Sequence, residues 1–191
     1  MNNIQSKYYR SGVTGVNYLI INRSVYTHSE LLPNNTTRVI KCNINDKECW
    51  IAMNREFMAE EIQDDNLWNN TGQTSDIQFA NTLAEAIESD ELISLMIFEE
   101  DGVPVGFANL MTIYSVWTHG KALILDDLYL RPVVRGKGYG KQALDFIEEF
   151  AVKRGCKRLQ FQSEVTNPNA MEFYISQGYN PTDMKFYVKY F

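Results

Sequence analysis

Between the apolar strand pattern ALILDDLYL (Ala122 to Leu130) and an amphipathic run from Lys137 to Arg154 lies Arg131-Pro-Val-Val-Arg-Gly-Lys-Gly-Tyr-Gly-Lys141. No other stretch constrains the fold as tightly. Three glycines at alternate positions, Gly136, Gly138 and Gly140, remove Cβ atoms where the backbone must turn sharply. A helix opening directly after such a turn presents its N-terminal amides and its dipole to one centre, which favours an anion. Arg135, Lys137 and Lys141 add full positive charges, with Tyr139 between them. The combination predicts an anion cradle of pyrophosphate size. A Walker A loop requires GxxxxGK[ST]; here the glycine spacing is one residue short and Gln142 stands where the hydroxyl belongs. A dinucleotide fingerprint requires GxGxxG and an acid ending the next strand; here the run is GxGxG and the next strand ends near Ser163-Glu164. A plain strand-to-helix turn needs one glycine, not three flanked by Arg and Lys.

The rest of the chain supplies a mixed α and β frame. Val16 to Asn22 and Thr37 to Cys42 read as strands, separated by the loop residues LLPNNTT. Asp46 to Ile62 carries Trp50, Ile51, Met53, Phe57, Met58 and Ile62 at roughly helical spacing, and Ile77 to Ser89 predicts a second helix. Leu92 to Glu99, Pro104 to Tyr114 and Ala122 to Leu130 form a strand meander with turn signals at Glu100-Asp101-Gly102 and Thr118-His119-Gly120-Lys121. After the Lys137 to Arg154 helix, Lys157 to Ser163 is a strand. Asn167-Pro168 is an N-cap and first-turn signature for a helix ending at Gly178, and Lys185 to Phe191 predicts a final strand.

Composition limits what this frame can do. A chain of 191 residues with 45% hydrophobic residues has the apolar content for a packed core and the length of one domain, or of one domain with an extension. The net charge of -6 disfavours nucleic acid as a partner. That charge is uneven: +4 over residues 1–45, -13 over residues 46–101 and +3 over residues 102–191. The acidic middle third suggests a cationic partner there, against the plainer reading of solvated helix faces. Three cysteines and two histidines offer no metal-ligand spacing, and suit a reducing compartment. The polar N-terminus predicts no signal peptide, and no apolar run approaches ~18 residues, so the expectation is a soluble cytoplasmic protein without a membrane span.

The segments LDDLYLRPVVRGKGYGKQAL and NPNAMEFYISQGY resemble the GNAT family of acetyl-CoA-dependent N-acetyltransferases. The family's cofactor loop, Arg/Gln-x-x-Gly-x-Gly/Ala, is matched by Arg135, Gly138 and Gly140. Its downstream segment is matched by Asn167, Ala170, Phe173, Tyr174, Gly178 and Tyr179. The resemblance covers the C-terminal half, and the first half only by order of elements. It implies an α/β (α+β mixed) fold: a central mixed, mostly antiparallel sheet splayed into a V with flanking helices. By this reading residues 36–191 form the acetyltransferase domain, and residues 1–35 are an extension that adds a strand, covers the sheet or serves a dimer.

Acetyl transfer to an amine poses definite chemical demands. A primary ammonium, with a pKa near ~10.4, must lose a proton before it attacks, and a thiolate departs more easily if protonated. The developing oxyanion needs a backbone donor. The resemblance implies that Tyr174 is the acid, its phenol (pKa ~10) staying protonated until needed; from spacing alone it is a packed aromatic. Asp126 and Asp127 are the base candidates. Adjacent acids in an apolar strand point to opposite faces, so at least one is awkward to bury. LDDLYL looks like the LEDL-type strand of polyamine acetyltransferases, which gives Asp126 the base position and Asp127 a grip on the ammonium; the alternatives are a bulge cap or a pair with Arg131. The backbone of Leu128, Tyr129 and Leu130 would bind the pantetheine arm, Gly136 to Lys141 the pyrophosphate, and Asn167 the cofactor as well as its own helix. Glu56, Glu60, Glu61, Asp64 and Asp65 would attract the acceptor.

The expected activity is direct acetyl transfer from acetyl-CoA to a primary amine of a small cationic acceptor, polyamine-like or aminoglycoside-like. A protein lysine or N-terminal amine is the alternative acceptor, a non-catalytic acetyl-CoA-binding regulatory module is the alternative class, and a homodimer is left open. Trp50 and the cysteines read as core. Trp68 and Trp117 stand between a pocket and surface packing, and His119 reads as an exposed turn.

Overall fold

The computed structural model describes residues 7–10, 17–20, 30–31, 37–61 and 74–190, with the backbone alone described before residue 37. The elements are β1 (Lys7–Arg10), β2 (Asn17–Ile20), β3 (Glu30–Leu31), β4 (Thr37–Lys41), α1 (Lys47–Glu61), α2 (Asp76–Glu88), β5 (Ile93–Glu100), β6 (Val103–Ser115), β7 (Gly120–Leu130), α3 (Tyr139–Lys153), β8 (Arg158–Phe161) and α4 (Pro168–Ser176). β1 and β2 pair as an antiparallel ribbon, and β3 to β8 form one sheet in chain order. Residues 30–31 of the expected extension thus join the main sheet. Most of the rest of residues 1–35, with His28, Asp64, Asp65 and Trp68, lies outside the described residues.

The sheet's pairs are antiparallel through β7, and β7 pairs parallel to β8. Alternation along the central strands sorts two cores. Leu95, Ile97 and Phe107 pack with Trp50, Met53, Phe79 and Leu83 of α1 and α2. Met96, Phe98, Ala108, Leu123 and Leu125 pack with Ala143, Leu144, Ile147 and Phe150 of α3. Burying strands on both faces explains why β5 reads as a continuous apolar run rather than an alternating one.

Two irregularities open the sheet. β7 and β8 pair only from Ala122↔Arg158 to Leu125↔Phe161, and β7 then runs on to Leu130 without that partner, so the strands part as a V. At the same point the register to β6 jumps: Leu110 faces Leu125 but Asn109 faces Asp127. Asp126 is the extra residue of a β-bulge. One extra residue reverses the two-residue alternation beyond it. Asp127 and Tyr129 therefore turn to the α1 and α2 face, and Leu128 and Leu130 to the α3 face.

Of the expected final strand, Lys185 to Phe191, the described residues 185–190 form no strand. Residues 177–190 carry no helix or strand, and Met184 and Tyr187 are 85% and 87% exposed. Strand preference reflects pairing and packing more than backbone preference, and the ladder of the sheet stops at β8. Trp117 is also exposed, at 91%, on the β6–β7 hairpin tip, beside His119 in a left-handed turn position. Among the described residues no helix is long and apolar enough to cross a membrane.

Candidate active site

The glycine loop joins β7 to α3 through a short 3-10 turn at Pro132–Val134. Gly138 is the N-cap of α3, with φ 86 in the left-handed region, where a side chain would be strained. The helical ladder begins with Gln142 N–H donating to Gly138 O at 3.2 Å, which leaves the amides of Tyr139, Gly140 and Lys141 without a carbonyl in the helix. Gly140 serves packing instead: a Cβ there would lie 3.0 Å from the Phe173 ring, so its absence lets α3 and α4 approach closely. Asn167 caps α4, its Oδ1 accepting from Ala170 N–H at 3.1 Å, with Pro168 in the first turn.

These parts converge on one cleft of about 790 Å³. Leu128, Tyr129, Leu130, Arg135, Gly136, Gly138, Gly140, Lys141, Asn167 and Tyr174 line it, together with Phe57 and Glu60 of α1. It follows the fork of the V, between the unpaired end of β7 and α4. The Tyr174 ring packs on Phe161, centroids 4.4 Å apart, and on Phe173 at 5.3 Å. The open first turn of α3, the left-handed glycines and the flanking cations fit a phosphate-bearing cofactor.

Four expected site residues do not line this cleft: Lys137, Tyr139, Asp126 and Asp127. Tyr139 is buried, and its hydroxyl donates to Glu100. Asp126 is exposed in the bulge, where partial burial still raises its carboxyl above the usual range. Burial pushes the Asp127 carboxyl up to about 6, against a hydrogen bond from Asn109, while the neighbouring Asp126 adds a like charge. Asn109 Nδ2 donates to Asp127 at 2.7 Å, and Asn109 Oδ1 accepts from the Trp50 indole at 3.4 Å. Trp50 is core, as its pattern predicts, but it also carries this polar contact. Patterning does not reveal Asn109's partners, although an Asn inside the apolar run GFANLM is a visible anomaly.

Glu56 and Glu60 of α1 are held by arginines, and Glu60 also lines the cleft. Glu56 takes two hydrogen bonds of 2.8 Å from Arg131, whose third goes to Pro104 O at 2.8 Å. Arg131 thus pairs with Glu56 and not with an aspartate of β7. Glu60 accepts from Arg135 at 2.5 Å and from the Tyr129 hydroxyl at 3.1 Å. Arg135 also donates to Leu130 O at 2.7 Å and lies over the Tyr129 ring. Elsewhere Arg38 meets Glu99, Lys41 meets Asp90 and Arg55 meets Asp76. Five acids of the middle third, Glu56, Glu60, Asp76, Asp90 and Glu99, are answered from within the chain, by Arg38, Lys41, Arg131 and Arg135 of the thirds on either side and by its own Arg55.

Comparison with known proteins decides the family. Residues 50–179 match the model of the Acetyltransferase (GNAT) family. This chain belongs to the GNAT family. An uncharacterized N-acetyltransferase of Bacillus subtilis, YhfO, is 34% identical over 108 residues, which are 56% of this chain and 72% of that protein. The thialysine N-epsilon-acetyltransferase of Sus scrofa is 32% identical over 74 residues, 39% of this chain and 43% of that one. Among solved structures, a possible acetyltransferase from Clostridium difficile 630 superimposes with a TM-score of 0.69 at 14% identity, covering 82% of this chain and 98% of that one. The aminoglycoside N-acetyltransferase AAC(6')-Iy, solved with CoA, gives 0.65 at 16% identity, covering 84% and 99%. The GNAT fold expected from the two motifs is the fold observed. As a GNAT protein the chain is an N-acetyltransferase whose acetyl donor is acetyl-CoA.

Proposed function

We propose that the protein moves an acetyl group from acetyl-CoA to the primary amine of a small cationic acceptor by direct attack. The observation that carries this reading is the single cleft shared by the glycine loop, the open end of β7 and Tyr174. Relatives named for thialysine and aminoglycoside acetylation support an amine of this class.

Bound in the cleft, acetyl-CoA supplies an acetyl thioester. The amides of Gly136 to Lys141 would hold the pyrophosphate, with the charges of Arg135 and Lys141 shared between it and their partners Glu60 and Asp145. The backbone of Leu128 to Leu130, freed where β8 parts from β7, pairs with the pantetheine arm, and one of its N–H groups stabilises charge developing on the carbonyl oxygen. Tyr174 donates its phenolic proton to the departing sulfur. Asp127, titrating near 6, is ionised at neutral pH yet basic enough to take the ammonium proton through a water. Asp126, exposed in the bulge, draws the cation to the fork.

The test is thiol release from acetyl-CoA across a panel of polyamines, aminoglycosides and lysine peptides. Turnover with a small polycation supports the reading. Turnover with peptides alone makes it a protein acetyltransferase, and tight cofactor binding without turnover makes it a binding module.

A further inference from the structure

We propose that Asn109 is a positioning residue for the reaction: the Trp50 indole locks the rotation of its amide, and the locked N–H holds the Asp127 carboxylate ionised and aimed. This rests on the reading of Asp127 as the base. The argument begins with hydrogen-bond chemistry. An indole nitrogen can only donate. Trp50 Nε1 lies 3.4 Å from Asn109 Oδ1, so that atom must be the amide oxygen. The opposite end of the amide is then the NH₂ group, and it lies 2.7 Å from Asp127 Oδ2. With Trp50 in place the amide cannot flip without setting donor against donor and acceptor against acceptor.

The bulge makes the arrangement possible. Without the extra residue, Asp127 would face α3; with it, Asp127 sits directly across from Asn109 on the α1 face. A carboxylate on a mostly buried strand prefers its neutral form, and a like charge on Asp126 adds to that preference. The Asn109 N–H opposes both by bonding to the charged form. Among the described residues only the Asn109 bond offsets the penalty: of the ionisable groups of α1 on this face, Cys49 and Glu56 act on Arg131 and Glu60 holds Arg135 and Tyr129, and α2 faces this core with Phe79 and Leu83. A neutral Asp127 could not accept the ammonium proton, so the amide decides the lowest pH at which the base works.

Two variants and two measurements test this. Asn109→Leu keeps the branched side-chain shape and removes the donor; Trp50→Phe keeps an aromatic ring and frees the amide. Asp127 is followed directly by carbon NMR of a labelled carboxyl, and kinetically by the acid limb of the kcat/KM pH profile. In Asn109→Leu both midpoints are expected to rise by about 1 pH unit, with activity recovered at higher pH. Trp50→Phe, which serves if the first variant does not fold, is expected to shift them less in the same direction. An NMR midpoint that stays at the wild-type value in either folded variant overturns the proposal. Asp127→Asn separates the two ideas. If it leaves the acid limb in place, Asp127 is not the base, whatever the NMR says of Asn109. If it abolishes the limb while the Asn109 variant leaves limb and NMR midpoint unmoved, only the role of Asn109 fails.

Discussion

Arg131 and Glu56 meet through two hydrogen bonds of 2.8 Å, tying the end of β7 to the middle of α1. The contact lies beside the cleft and couples its two walls. Glu56→Gln removes the charge and leaves Arg131 half-buried without its partner. The Arg131 contact holds the Glu56 carboxyl below its ordinary 4.5. For a depressed acid, stability is present above the unfolded value and is lost as pH falls through the folded one. The variant is therefore expected to lose about 1 kcal/mol at pH 7, a figure already reduced for the partial exposure of both groups. The difference from wild type should begin to shrink below about pH 4.5 and close as pH falls through the lowered folded value. Thermal melts across pH check this, and a gap that does not shrink as pH is lowered contradicts it.

Gly138 carries the loop's conformation. With φ 86 and no protein atom within 4 Å of a built Cβ, a side chain there is strained and points into the open cradle. Gly138→Val is expected to cost about 1–3 kcal/mol in stability and to reduce acetyl-CoA affinity at least tenfold. Calorimetric titration with acetyl-CoA measures the second effect; unchanged affinity removes the loop from the cofactor site.

Tyr174→Phe keeps the ring on Phe161 and Phe173 and deletes only the hydroxyl. Loss of a general acid costs about 10²–10⁴ in rate, so kcat should fall by that order while the acetyl-CoA Kd stays within about threefold. Equal losses in both would assign Tyr174 to binding; wild-type turnover would take it out of the chemistry.

Asp127→Asn is expected to abolish most turnover and yet stabilise the fold. Asp127 titrates near 6 in the folded chain against an ordinary 3.8. Between those values the folded state holds more proton than the unfolded, so stability falls as pH rises through the window, and the whole penalty remains above it. Two units correspond to at most about 3 kcal/mol. Melting temperature should rise in the variant at pH 7.5, with the gain shrinking from about pH 6 and gone below about pH 4. A less stable variant at pH 7.5 would show that the Asn109 bond outweighs burial.

Local signals made much of this protein legible. The Asn167-Pro168 cap, the GxGxG turn and the two apolar helix faces act over a few residues, and each forms within a few residues of its expected bounds. Helix α3 starts at Tyr139 rather than Lys137 because Gly138 takes the left-handed cap conformation. Residues 185–190 do not pair with the edge that β8 leaves, and whether a segment finds such a partner is not written in its own pattern. Nor can counting charge along a chain say that Arg131 and Arg135, 75 residues away, pair with the carboxylates of Glu56 and Glu60.

The sequence by itself determined that a strand, a three-glycine turn and a helix would follow one another, and that Tyr174 would lie on a capped helix. Backbone conformation and capping are short-range properties, so they can be read locally. Only the tertiary structure decided which face each aspartate takes. That depends on one unpaired residue, Asp126, where Asn109 meets Asp127 and Leu110 meets Leu125. A bulge is a property of two strands in register, and a single odd residue reverses every side chain beyond it.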